Sequence, residues 1–80
     1  MDILEMKHFT ELEELEYLTG LSTDELWDIG VVLDDYTCFF QTNEKIDFTK
    51  YWWLELQFDR MFEWQVYEIN GKYYYIIYHA

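Results

Sequence analysis

"WQVYEI-NG-KYYYIIYHA", residues 64–80, sets the fold class. Two β-rich runs flank Asn70-Gly71, and Asn-Gly is the strongest short-range signal for a two-residue hairpin. A type I′ turn needs positive φ at both central positions, which Asn and Gly tolerate best. The spacing therefore predicts an antiparallel β-hairpin at the C-terminal end. "YTCFFQT", 36–42, is a further strand candidate rich in β formers, and "TNEKID", 42–47, reads as the loop after it.

Upstream the pattern turns helical. In "TELEELEYLT", 10–19, Leu12, Leu15 and Tyr17 or Leu18 recur at helical spacing. Thr10 is the expected N-cap, with Glu13 completing a capping box, and Gly20 stands where a left-handed C-cap belongs. Ile3, Met6 and Phe9 share a helical stripe, so Met1 to Phe9 either extends this helix or precedes it. Ser22 opens a second helix, with Glu25 three residues on. Leu26, Ile29 and Leu33 lie on one face with Trp27 beside it, and Gly30 places the end near Ile29. Residues 49–62, "TKYWWLELQFDRMF", fit two periods. Tyr51, Leu54, Phe58, Met61 and Phe62 make a helical stripe; Trp52, Leu54, Leu56 and Phe58 alternate as in a strand. Thr49 as a cap and good helix formers favour the helix. The expected fold is α+β: two or three short helices packed on a small antiparallel sheet, in one domain spanning 1–80.

Eighteen of the 80 residues are Phe, Trp or Tyr, and Cys38 is the single cysteine. A chain this short buries a modest core and cannot add an internal disulfide, so the aromatics supply the buried area. Trp52, Trp53, Trp64, Tyr73 to Tyr75 and Tyr78 exceed what a small core is expected to hide. An exposed aromatic hairpin is the expected remainder. There is no apolar run long enough for a membrane span and no signal-peptide pattern in "MDILEMKHF", so a cytoplasmic setting is the default.

The formal net charge is −12. Residues 1–35 carry 11 Asp/Glu against one Lys, while residues 36–80 carry six against four Lys/Arg. "YLTGLSTDELWDIG", 17–30, has the outline of a DNA-binding helix-turn-helix. Its second helix would present Asp24, Glu25 and Asp28, and no Lys or Arg occurs between Lys7 and Lys45. Phosphate contacts by cations supply most non-specific DNA affinity, so direct DNA binding is excluded. The charge favours a basic partner instead.

Glu11, Glu14, Asp24, Glu25, Asp28, Asp34 and Asp35 are the candidate partner-binding residues. Helix neighbours at i,i+3 and i,i+4 sit about 5–6 Å apart. A row of carboxylates on two adjacent helices therefore approximates part of a phosphate track, whose charges repeat every 3.4 Å or so along a strand. The alternative is a solvated face that serves solubility.

No calcium loop, zinc cluster, P-loop or nucleophile elbow is present. Cys38 and His79 are the one conceivable nucleophile and base, but "YTCFF" is an apolar setting that raises a thiol pKa. Glu55 and Asp59 form a carboxylate pair if their segment is helical, matched by Arg60, Lys50 or solvent. No cofactor, metal or catalytic residue is expected, and the chain reads as a non-enzyme.

In size, acidity and lack of catalytic residues the chain resembles small acidic inhibitors carried by phages and mobile elements, the anti-restriction, anti-CRISPR and DNA-mimic proteins. The resemblance is one of composition and carries over no site residue. It implies a protein, acting in the host cytoplasm if phage-encoded, that occludes the basic nucleic-acid channel of a defence or DNA-processing enzyme such as a nuclease or CRISPR effector. The alternative function is a non-catalytic interaction module built on the aromatic hairpin, in one form a homodimer.

Overall fold

The computed structural model describes residues 7–31, 36–61 and 63–78. Its elements are β1 (Lys7–Phe9), α1 (Leu12–Thr19), α2 (Thr23–Asp28), β2 (Tyr36–Thr42), α3 (Trp52–Asp59), β3 (Glu63–Ile69) and β4 (Lys72–Tyr78). The strands form one antiparallel sheet in the order β1-β2-β4-β3. The fold is α+β.

The β3–β4 hairpin turns at Asn70 (φ 53°) and Gly71 (φ 78°), both in the left-handed region that its Asn-Gly pair favours. β4 then runs through the middle of the sheet, paired on one side to β3 and on the other to β2. Its side chains alternate between two cores. Tyr74, Ile76 and Tyr78 join Phe39, Leu15, Leu26 and Val31 on one face. Tyr75 and Ile77 join Cys38, Leu54 and Phe58 on the other. The molecule is therefore layered, with α1 and α2 over one face of the sheet and α3 over the opposite one.

This layering corrects the expected exposed hairpin. Tyr74, Tyr75 and Tyr78 are buried and Tyr73 and Trp64 half-buried, because helices cover both faces of β4. The tyrosine hydroxyls reach backbone groups that helices and loops leave open. Tyr74 donates to the Leu18 carbonyl (3.3 Å) and Tyr67 to that of Gly30 (2.9 Å). Tyr75 accepts from the buried Ile46 N–H at 2.7 Å. The Tyr74 and Tyr75 bonds satisfy polar groups that burial would otherwise penalise.

Several local expectations change. Lys7–Phe9 is an edge strand, not part of a helix; His8 stacks on Phe40 (4.7 Å) and Phe9 on Phe39 (5.1 Å). Ile3 and Met6 lie outside the described residues. The N-cap of α1 is Glu11 rather than Thr10, without a side-chain cap bond. Of the two alternatives on α1, Leu18 packs inward and Tyr17 points to solvent. Gly20 is the left-handed C-cap, φ 71°, as its position requires.

Leu26 is the buried anchor of α2, whereas Ile29 caps the helix end and is exposed; Leu33 lies outside the described residues. Residues 52–59 are helical, but Thr49 is not the cap. Asp47 accepts from the Thr49 N–H (3.0 Å) and hydroxyl, and its carbonyl accepts from Lys50 and Tyr51. That turn starts α3 behind Tyr51. Leu54 and Phe58 carry the inward stripe, Tyr51 is half-buried and Met61 is exposed, while Phe62 lies outside the described residues.

Candidate functional site: an acidic helix layer

The α1–α2 layer is held from below by Leu12, Leu15, Leu18, Leu21 and Leu26. Four hydrogen bonds fix the ends of its helices. Thr19 donates to the Leu15 carbonyl at 2.8 Å, and its own carbonyl accepts from Asn70 Nδ2 at 2.8 Å. Leu18 and Gly30 accept from Tyr74 and Tyr67. The helix ends thus rest on the sheet, and the upper surface is left to acidic and aromatic side chains.

Glu11, Glu14, Asp24, Glu25 and Asp28 all sit on this layer and all are exposed. Asp34 and Asp35 lie outside the described residues. Glu25 differs from the rest because it completes the capping box. Its carboxylate accepts from the Ser22 N–H (3.3 Å) and Oγ (3.1 Å), while its own N–H donates to Ser22 Oγ (3.2 Å). Glu25 therefore sets the start of α2 as well as adding charge.

Three residues belong to the surface that the candidate set omits. Exposed Glu13 lines a hollow of about 410 Å³ between β1 and α1, shared with Glu14, Tyr17, Leu18, Lys7 and Phe9. Tyr17 is 86% exposed and Trp27 is 57% exposed. The sequence signal for the first group is the spacing 13, 14, 17, 18, which is one helix flank. Large aromatics left in solvent beside charges are interface anchors by composition.

The two helices carry charge of one sign, with Lys7 of β1 in the hollow beside Glu13 and Glu14. Seven carboxylates and no Lys or Arg occur over residues 11–28. Neither α1 nor α2 has a basic residue in its last turn, and Asp28 itself ends α2. A carboxylate there opposes the helix dipole by about 0.3–1 kcal/mol. It also repels Asp24, four residues earlier, by a few tenths of a kcal/mol.

Other chemistry finds little support. Cys38 is buried in the core under α3, and His79 lies outside the described residues, so that pairing has no geometry to weigh. Among the described residues no cluster of His, Cys, Asp or Glu is disposed to hold a metal ion. Asp59 accepts from the Trp64 indole N–H at 2.8 Å, a structural contact between α3 and β3. No helix among the described residues is long and apolar enough to cross a membrane. Compared with protein-family models, curated proteins and solved structures, the chain matches none.

Proposed function

We propose that the α1–α2 layer docks onto the basic, nucleic-acid-binding surface of another protein and blocks it, so that the chain is an acidic inhibitor of the DNA-mimic type. One observation carries this reading: a helix layer with seven carboxylates, no cation over the same residues, and two large aromatics held out in solvent. Glu11, Glu13, Glu14, Asp24 and Asp28 pair with the Arg and Lys that otherwise hold phosphates. Tyr17 and Trp27 add contact that salt does not screen. The field of the layer speeds encounter at low salt. Asp28 supports the reading further, because its position costs stability that a merely solubilising charge elsewhere would spare.

The test is capture with the tagged chain from nuclease-treated bacterial lysate, washed at low and high salt. The reading expects a basic nucleic-acid-binding protein that added duplex DNA displaces, and that a chain with Glu11, Glu14, Asp24 and Asp28 changed to Gln or Asn fails to hold. A partner indifferent to DNA and to those substitutions overturns it.

A further inference from the structure

The opposite side of the molecule has a different character. Over residues 44–61 four carboxylates are matched by three cations, so the charge around α3 nearly cancels. Yet α3 leaves Trp52 63%, Trp53 42% and Leu56 52% exposed, with Met61 beside its C-terminal end. A shallow groove of about 420 Å³ runs along the same helix, lined by Phe40, Leu54, Gln57, Phe58, Arg60 and Met61.

The geometry points to a second copy of this chain as the occupant of that face, forming a two-fold dimer through α3. Trp53, Leu56 and Arg60 recur at i, i+3 and i+7, which is one stripe of a helix. Around a two-fold axis beside Leu56, antiparallel α3 helices set the two Leu56 side chains together. Trp53 of each copy then lies across from Arg60 and the groove of the other. An indole over a guanidinium is the strongest common cation–π pairing, and Trp and Arg are the residue types that anchor interfaces. The same helix thus carries both a projecting ring and its receptor, which is what an isologous contact requires.

Charge placement admits this occupant at the α3 face and bars it from the acidic layer. Two chains of net charge −12 cannot approach through the acidic layer, and the α3 face is where their charge nearly cancels. The sheet separates that face from α1 and α2, and salt screens charges beyond about 8 Å at physiological strength. A nucleic acid or an anionic membrane gains nothing there. The dimer leaves both acidic layers pointing outward. The inference does not depend on what those layers bind.

Sedimentation equilibrium of the full chain from about 1 to about 100 µM tests it. The expected mass rises toward twice the 10.0 kDa of the chain. Trp53→Glu and Arg60→Glu, both at exposed positions, are expected to raise the dissociation constant roughly 30-fold or more, the effect of an interface anchor. Their far-UV spectra stay those of the parent, and they melt below it only at concentrations where the parent is dimeric. Asp24→Asn, on the other layer, leaves the dimer intact. A chain that stays at 10.0 kDa throughout overturns the inference, as does a dimer that both α3 variants retain; either result opens the face to a different protein.

Discussion

Asn70 performs two tasks that can be separated by substitution. Its backbone occupies the left-handed region (φ 53°), and its side-chain amide ties the hairpin to the Thr19 carbonyl at the end of α1, at 2.8 Å. Glycine keeps the first and loses the second. Asn70→Gly therefore forfeits one part-buried hydrogen bond, about 0.5–1.5 kcal/mol. Alanine loses both: Asn already carries a Cβ, so the added cost is the local side-chain bonding that eases Asn into the left-handed region, at most about 1 kcal/mol. Asn70→Ala is thus expected to cost about 1–2.5 kcal/mol. A domain of this size is stable by about 4–12 kcal/mol, so both variants fold at room temperature. Each kcal/mol lowers Tm by about 4–8 °C for a domain of 60–100 residues. Thermal melts should place Gly roughly 5 °C below the parent and Ala about 5 °C below Gly. A Gly variant that melts with the Ala variant would refute the division. A Gly variant that melts with the parent would show that the link from Asn70 to α1 adds nothing.

Three further outcomes follow from the same geometry. Tyr75→Phe strands the buried Ile46 N–H and should cost about 1–3 kcal/mol in urea unfolding, with a loss of under 0.5 or so contradicting the role given to that bond. Burial raises the Tyr74 phenol above its ordinary 10.0, and the bond to Glu68 raises Tyr73 in the same direction. The unfolded chain then releases those protons first as pH climbs, so stability is full below pH 10.0 and falls through the folded-state values; the urea midpoint should drop between about pH 9 and about pH 11, and a flat midpoint refutes the assignment. Asp28→Asn removes a charge at the wrong end of α2 and should raise stability by about 0.3–1 kcal/mol at low salt, less at high salt, while weakening partner capture.

Local signals in the sequence were the legible ones. Asn70-Gly71 and the Ser22–Glu25 pair act within four residues, and both form as their chemistry requires. β1 was not legible because a three-residue strand has no period of its own; β2 and the rings of Phe39 and Phe40 make it a strand. The start of α3 was misread because its determinant, the Asp47 turn, lies upstream of the residue that looked like a cap. The burial of the hairpin carried a signal that was open to a different reading. "YYYIIY" is apolar at every position, which is the mark of a strand covered on both faces, whereas strict alternation marks one face in water. For the acidic layer, composition gave the charges and their helices. It did not show that Tyr17 stands in solvent while Leu18 packs below.

The salt dependence of partner binding tests the central claim most directly. Once a captured partner is purified, its affinity for the parent chain and for the chain neutralised at Glu11, Glu14, Asp24 and Asp28 is measured between about 50 and about 200 mM salt, with a DNA duplex as competitor. The acidic-inhibitor account predicts a steep fall with salt for the parent, a shallower slope and weaker binding for the neutralised chain, and mutual exclusion with the duplex. Equal slopes for the two chains, or a ternary complex with DNA, would contradict it.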